Sequence, residues 1–182
     1  MGFNVETFKS NLPLGGVRPT LYDVQISNPV DPSADATMVF RCQATNIPAS
    51  NLGNIDVPYF GRQIRIAGDR TFDPWPVTVL EDEDFGVRQT LEEWSNGINS
   101  HEGNLLTAAT GSALTYKSTA LVTQYSKTGN ILRVYQLNGI YPVSVGAIEL
   151  GWASTNQLET YQVTFMYDWW TLAGGSTGTL NV

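Results

Sequence analysis

The stretch from Arg62 to Trp94 reads RQIRIAGDRTFDPWPVTVLEDEDFGVRQTLEEW and decides the fold, because it predicts a β-hairpin followed by a helix. Two alternating apolar runs, Phe60–Ala67 and Phe72–Leu80, flank the tripeptide Gly68-Asp69-Arg70. Glycine and aspartate both tolerate positive φ, which tight hairpin turns require. The pattern therefore predicts a hairpin with its turn at residues 68–70.

The hydrophobic period changes after residue 82. Apolar side chains then recur at spacings of four, three and four, as on one face of an amphipathic helix: Val87, Leu91, Trp94 and Ile98. The acidic run Glu81–Asp84 precedes this stripe, where negative charge stabilises a helix N-terminus. The same acids could form a calcium loop, but such loops alternate their ligands around a central glycine. Because this run is contiguous, we interpret it as a helix start.

The N-terminal part is predicted to consist of strands and loops. Thr20–Ser27 alternates polar and apolar residues with a period of two, which is typical of a half-buried strand. The segments 28–36 and 46–58 contain prolines, so both are interpreted as loops without regular structure. Another inward row predicts a strand between them: Met38, Phe40, Cys42 and Ala44.

The C-terminal part is also predicted to be β. Lys117–Tyr125 and Ile131–Ile140 predict a second hairpin joined across residues 126–130. Leu158–Trp170 predicts one long strand with an aromatic face and an almost uncharged Thr/Gln face. The aromatic face should pack on a core. The other face would meet water, either as an ordinary solvent face or as the wall of a water-filled lumen.

Several strands and one helix in 182 residues predict a mainly β domain, a β-sandwich or partly closed barrel with one flanking α-helix. The single domain should span residues 1–170, and the Gly-, Ser- and Thr-rich residues 171–182 should form a flexible tail. Residues 1–13 lack the apolar run of a signal peptide, and no run approaches the roughly 20 residues of a membrane span. We therefore expect no membrane span.

Charge and rare residues limit the possible chemistry. Ten Lys and Arg against 17 Asp and Glu give a net charge of −7, so binding to nucleic acid through phosphate neutralisation is not expected. Cys42 is the only cysteine and is interpreted as a buried small hydrophobe. His101 is the only histidine and belongs to no catalytic or zinc-binding motif. No catalytic residue, metal site or cofactor is predicted.

Two other function classes stay open at this point. The 17 acids could conceal the carboxylate pair that glycoside hydrolysis needs, although nothing singles out such a pair. An aromatic β-sandwich could also be a carbohydrate-binding module that presents exposed rings. Trp94 and Trp169 have core explanations, which leaves three candidates for such rings: Trp75, Trp152 and Trp170.

An ordered set of motifs resembles the tail-tube proteins of contractile-tailed bacteriophages. It starts with AGDRTFD at 67–73 and continues with Trp75, VTV at 77–79, Arg88-Gln89 and Trp94. Similar segments extend over most of the chain: RPTLY at 18–22, FRCQAT at 40–45, NGIYP at 138–142 and QLETYQV at 157–163. This ordered agreement is far more specific than any single motif.

The resemblance implies a structural virion protein and no enzyme. Six copies would form a homo-hexameric ring in which the sheets of neighbouring subunits join into one continuous barrel. The rings would then stack into a helical tube. A tail sheath protein would lie outside, a tape-measure protein inside during assembly, and baseplate and tail-terminator proteins at the ends. DNA would pass through the negatively charged lumen without specific binding. The chain would be made in the host bacterial cytoplasm, and a tube of a contractile injection or type VI-like secretion system is the alternative.

Two segments are nominated as contacts between subunits or rings, one in the loop at 46–58 and one at the expected hairpin turn. The nominated residues are Asn51, Asn54, Asp56, Gly68, Asp69 and Arg70. The alternative for Asp69 and Arg70 is a local turn with an exposed ion pair, which contributes at most about 1 kcal/mol.

Overall fold

The structure is a computed structural model that describes residues 4–106 and 112–174. The helices in these ranges are α1 (Val5–Asn11), α2 (Asp35–Arg41), α3 (Gly86–Ile98) and α4 (Ala113–Tyr116), with a 3-10 turn at Pro32–Ala34. The strands are β1 (Tyr22–Ile26), β2 (Cys42–Thr45), β3 (Asn51–Tyr59), β4 (Arg62–Thr71), β5 (Trp75–Leu80), β6 (Ser118–Tyr125), β7 (Ile131–Val145), β8 (Thr160–Met166) and β9 (Trp169–Gly174).

Seven strands form an antiparallel sheet in the order β1-β6-β7-β8-β5-β2, with β9 paired to β7. The long strand β7 joins two layers, because its first part pairs with β6 and β9 and its end, from Tyr141, pairs with β8. Gly139 lies where β7 changes layer and has a φ of 70°, which glycine adopts without steric cost. The predicted mainly β sandwich is confirmed.

The sandwich does not close into a complete barrel. Strands β1 and β2 lie at the two ends of the strand order and do not pair with each other. The Tyr22 hydroxyl bridges them by donating to the Gln43 carbonyl oxygen at 2.5 Å. A cleft of about 810 Å³ lies between these ends, lined by Tyr22 and the residues of β2. The barrel is therefore only partly closed.

The core lies between the layers and under α3. Strand β5 alternates buried and half-buried residues, and Trp75 packs against Phe165 of β8 at a ring-centroid distance of 5.8 Å. Trp94 of α3 packs on the same Phe165 ring at 6.3 Å. Burying each large apolar side chain contributes roughly 1.5–3 kcal/mol. Trp75, one of the three candidates for an exposed ring, is buried, because its ring faces this core and its Nε1 donates to the Asn46 carbonyl oxygen.

The predicted amphipathic helix is α3, and the acidic run lies just before it. The Arg41 guanidinium contacts Asp82 at 3.0 Å and Asp84 at 2.9 Å, and lies 3.8 Å from Glu81. The hydrogen bond from Arg41 lowers the pKa of Asp84 to about 2. These acids bind an arginine, and across 4–106 and 112–174 no group of three or more His, Cys, Asp or Glu side chains is arranged to hold a metal.

The strand predicted from Met38, Phe40, Cys42 and Ala44 is wrong for its first half. Residues 35–41 form α2, and only Cys42–Thr45 form a strand. Asp31 caps the 3-10 turn that leads into α2 by accepting from the Ser33 amide at 2.9 Å. Met38 then buries its side chain in the core, and such tertiary packing overrides a short period-two pattern. The prediction of one helix missed α2 for this reason.

The hairpin of β6 and β7 is confirmed, with residues 126–130 as its turn. The single strand predicted over Leu158–Trp170 is wrong, because β8 ends at Met166 and β9 crosses to the other layer. The Asp168 amide turns the chain between them by donating to the Asn138 carbonyl oxygen at 2.9 Å. The predicted start of the tail after residue 170 falls inside β9, and residues 175–182 of that prediction lie outside the described residues.

Candidate assembly interface

Strands β3 and β4 form a two-stranded sheet that is separate from the seven-stranded sheet. Every residue in them is exposed except Gly68, which is half-buried. At about 3.4 Å per residue, the ten-residue β4 extends roughly 34 Å. An isolated two-stranded hairpin is only marginally stable in water. This long exposed hairpin is therefore the strongest candidate for an interface.

The structure of the hairpin differs from the sequence-based prediction in two ways. Segment 46–58 is predicted to be an irregular loop, but most of it forms β3. The turn lies at Phe60-Gly61, whose φ values are 41° and 79°, and not at Gly68-Asp69-Arg70. Gly68 and Asp69 instead face Gly53 where the strand register shifts, as in a β-bulge. A side chain on Gly53 would meet the Asp69 carbonyl oxygen at 3.0 Å, so the close backbone approach explains the glycine.

The two faces of the hairpin differ in chemistry. Side chains alternate between the faces, so cross-strand partners share a face. The apolar face carries Ile55, Val57, Ile64 and Ile66, which are between 38% and 53% exposed. The polar face carries Asn54, Asp56, Gln63 and Arg65. Because solvated hairpins rarely expose a continuous aliphatic face, this face is the part of the surface that most needs a partner.

All six nominated contact residues lie on this one hairpin, where local bonds already hold several of them. The Asn54 amide donates to Asp56 at 2.7 Å, and Arg65 lies 3.6 Å from Asp56 across the strands. Arg70 donates to the Ser50 hydroxyl at 2.5 Å. Within the described residues Asp69 and Arg70 form no ion pair, and the turn lies at Phe60-Gly61, so the alternative of a local turn with an Asp69–Arg70 ion pair is wrong. The contact role of the six residues stays a prediction.

The root of the hairpin is fixed to the domain. Trp170 of β9 donates from Nε1 to the Ala49 carbonyl oxygen at 2.9 Å. Asn51 donates to the Asp73 carboxylate at 2.6 Å, and Phe72 packs on Tyr167 with ring centroids 5.6 Å apart. These contacts explain why Trp170 is half-buried rather than fully exposed. They hold the hairpin at the end of the sheet where β5 begins.

A second exposed surface lies near the opposite end of β5, under the segment 146–159. This segment flanks a cleft of about 690 Å³ that also contains Glu149 and Glu159. Its exposed apolar side chains are Leu150, Trp152 and Leu158. Of these three, only Trp152 is a candidate exposed residue in the sequence analysis. A loop has no hydrophobic periodicity, so its sequence does not distinguish an exposed leucine from a buried one.

The candidate reactive residues lie apart from both surfaces. Burial raises the pKa of the Cys42 thiol to about 12, so this thiol stays protonated at neutral pH. His101 is exposed in the turn after α3, where its amide donates to the Asn96 side chain at 3.0 Å. The structure therefore brings neither residue to the hairpin or to the cleft under segment 146–159, and Cys42 instead lines the cleft between β1 and β2.

The described residues define a partly closed β-sandwich that carries a long exposed hairpin and an exposed cleft. The chain belongs to the phage tail tube protein family, whose model matches residues 3–173. Its relatives include the tail tube protein gp19 of Enterobacteria phage T4, at 36% identity over 84% of this chain and 90% of the relative. A tail tube protein of Serratia phage KSP90 is 27% identical over 90% and 93% of the two chains. Membership makes this chain a structural virion protein of a contractile tail.

A solved structure with the same fold supports the assignment of the architecture. The sheath/tube terminator of the PVC extracellular contractile injection system, in its extended state, matches with a TM-score of 0.64 at 12% identity. The match covers 87% of this chain and 97% of that one. Among residues 4–106 and 112–174, no helix has the length and apolar character to cross a bilayer.

Proposed function

We propose that six copies of this chain close into a ring and that such rings stack into the tail tube of a contractile phage. The exposed β3–β4 hairpin is the observation that carries this proposal. Its four aliphatic side chains on one face are about half exposed in the single chain. Burying each of them further against another copy would contribute about 1 kcal/mol. A partner chain therefore supplies the stability that the hairpin lacks alone.

The free edges of the sheet support closure into a ring. Strands β1 and β2 each pair on one side only, so their remaining N–H and C=O groups can pair with a neighbouring copy. Pairing between copies would join the open sandwiches into one continuous barrel, which leaves no unpaired edge. The polar outer face of β8, with Thr160 and Gln162 exposed, is suited to line a wet lumen.

The chain's charge is suited to a passive conduit. A net charge of −7 supplies little that would hold phosphates, so DNA would pass through the lumen without specific binding. A tail sheath protein would surround the tube and a tape-measure protein would fill it during assembly, with baseplate and tail-terminator proteins at its ends. The protein would be made in the host bacterial cytoplasm and would act by position, without catalysis.

A tube of a contractile injection system is the second candidate, because the PVC terminator shares the fold. The phage assignment is favoured, since the T4 relative reaches 36% identity whereas that terminator reaches 12%. A carbohydrate-binding module has less support, because two of its three candidate rings are not free: Trp75 is buried and Trp170 half-buried, whereas Trp152 is exposed. The core explanation of Trp169 is wrong, since this side chain is 51% exposed.

Electron microscopy of the purified chain at increasing concentration tests the proposal. We expect stacked rings with six-fold symmetry and an open lumen, with or without tube fragments added as nuclei. Compact monomers at every concentration, even with nuclei present, would refute the proposed function.

A further inference from the structure

We propose that the tip of the β3–β4 hairpin of one copy binds the cleft under segment 146–159 of a second copy, head to tail. The inference rests on the proposed function and names the contact that links successive subunits along the tube. It is carried by four features: the positions of the two surfaces, the shape of the tip, the charge of both surfaces and the size of the cleft.

The hairpin and the cleft lie towards opposite ends of the same pair of strands. The hairpin leads directly into Trp75, which pairs with Phe165, whereas segment 146–159 leads into Thr160, which pairs with Leu80. A contact between unlike surfaces is heterologous, and if its rotation does not close a ring, each bound copy presents a new hairpin and a new cleft. Such a contact propagates a stack of any length.

The tip presents an aromatic side chain at a conformational cost. Phe60 is 90% exposed, and its backbone occupies the left-handed region at φ 41°. This conformation is unfavourable for a bulky residue other than glycine. Asparagine followed by glycine is the favoured sequence for such a turn. Phe60 makes an edge contact with Tyr59 at 4.7 Å, and both rings are exposed. A phenylalanine that neither the turn nor the core requires fits the role of an anchor in another chain.

The charges of the tip and the cleft are complementary. The hairpin, residues 51–71, carries three Arg and two Asp, hence a net charge of +1 in a chain of net charge −7. Arg62 next to the turn is exposed and has no ion-pair partner among the described residues. Glu149 and Glu159 in the cleft are both exposed. No Lys or Arg follows Arg133 in the sequence, so this part of the chain supplies no cation of its own to these carboxylates.

A cation from α3, Arg88, lies near the cleft and is already engaged. Arg88 pairs with Glu92 at 2.7 Å and donates to the Gly146 carbonyl oxygen at 3.1 Å. The cleft's volume of about 690 Å³ lies within the range of about 300–1,000 Å³ that is typical of binding pockets. Its rim is apolar at Leu150, Trp152 and Leu158. The cleft can therefore accept Phe60 among apolar side chains with Arg62 beside the carboxylates.

Phe60→Asn separates docking from folding, because asparagine suits the turn better than phenylalanine. We expect this variant to keep the wild-type circular dichroism and to raise the concentration needed for tube formation at least tenfold. Leu114→Asn is the matched control, because Leu114 is 92% exposed on α4 and belongs to neither the hairpin nor the lining of the cleft. Wild-type polymerisation of Phe60→Asn would overturn the inference.

Charge exchange tests the pairing of the two surfaces. Arg62→Glu, and separately Glu149→Arg with Glu159→Arg, should each raise the polymerisation threshold at least tenfold. The combination of all three should return it to within about threefold of wild type. Lys127→Glu, in the exposed turn between β6 and β7, controls for the change in net charge. Two damaging changes without recovery in the combination would assign the tip and the cleft to different interfaces.

Cross-linking decides the question even if a variant folds poorly. A chain with Phe60→Cys and Leu158→Cys, assembled and treated with diamide as oxidant, should give a ladder of covalent oligomers. Phe60→Cys alone should give at most pairs, and the half-buried Cys42, whose thiol stays protonated, should contribute little. Wild-type tubes without a ladder from the double variant would reject this contact and leave the proposed function intact. Absence of tubes from the wild-type chain would reject the proposed function itself.

Discussion

The Lys117 ammonium lies 2.7 Å and 2.8 Å from the two carboxylate oxygens of Asp168, and this ion pair packs over Gly139 at the bend of β7. The pair fixes the link between β8 and β9 to the start of β6, where the two layers meet. A side chain at Gly139 would overlap the Asp168 carboxylate. The bend, the glycine and the ion pair therefore depend on one another.

Gly139→Ala should destabilise the subunit by about 2–4 kcal/mol, because it adds steric overlap to the cost of a left-handed backbone. Gly129→Ala is the matched control, with φ 84° but nothing within 4 Å of the added methyl group. We expect that control to lose only about 1 kcal/mol. Urea unfolding below the polymerisation threshold measures both values, and equal losses would contradict the role of Asp168.

Asp84→Asn should change how stability depends on pH. The native pKa of Asp84 is lowered to about 2 by Arg41, against about 3.9 in an unfolded chain. Its contribution is therefore present above about pH 4 and is lost as pH falls towards 2. The melting temperature of the variant should lie below that of wild type at pH 5 and approach it at pH 2. Glu83→Gln removes an adjacent exposed acid and is the control, which should unfold like wild type at both pH values. If the difference in melting temperature between wild type and Asp84→Asn persists at pH 2, the assignment to Asp84 is refuted.

Cys42 should react slowly with a thiol reagent in the folded chain. Its pKa of about 12 leaves a very small thiolate fraction at pH 8, and only the thiolate attacks. We expect disulfide-exchange labelling to be at least a hundredfold slower than in guanidinium. Rates within a few-fold of each other would show that the thiol is accessible and that the link between α2 and β2 opens readily.

Ile66→Thr should weaken assembly without unfolding the domain. Threonine keeps the β-branched shape that a strand favours but removes apolar surface from the hairpin face. The concentration needed for polymerisation should rise at least tenfold, as measured by sedimentation. Gln63→Thr, on the polar face of the same strand, should change it little, and equal effects would show that the apolar face is not the buried one.

Sequence reasoning succeeded where local pattern and packing agree. The alternation of β5 and the stripe of α3 both point to the same core, so Val77 and Trp94 could be predicted as buried. It failed at α2, because the row starting at Met38 alternates as a strand would, but over a span too short to outweigh packing. Packing against the core makes residues 35–41 a helix, and a sequence does not display packing.

The hairpin shows a different limit. Gly68 and Asp69 favour positive φ or close backbone approach, and both a turn and a β-bulge use such residues. The actual turn at Phe60-Gly61 carries only one favoured residue, because Phe60 suits the turn poorly. Strand β3 contains Gly53 and Pro58 and is defined by pairing with β4, which local propensity does not encode. The six nominated residues all lie on this hairpin, although the sequence placed them in a loop and a turn, and their contact role stays a prediction.

The measurement that tests assembly most directly is a side-chain-resolution cryo-EM reconstruction of the polymer formed by the purified chain. The account predicts stacked six-fold rings with an open lumen, in which the aliphatic face of the hairpin is buried and Phe60 contacts a different copy. A polymer whose hairpin projects into solvent, or a chain that forms only compact monomers, would contradict it.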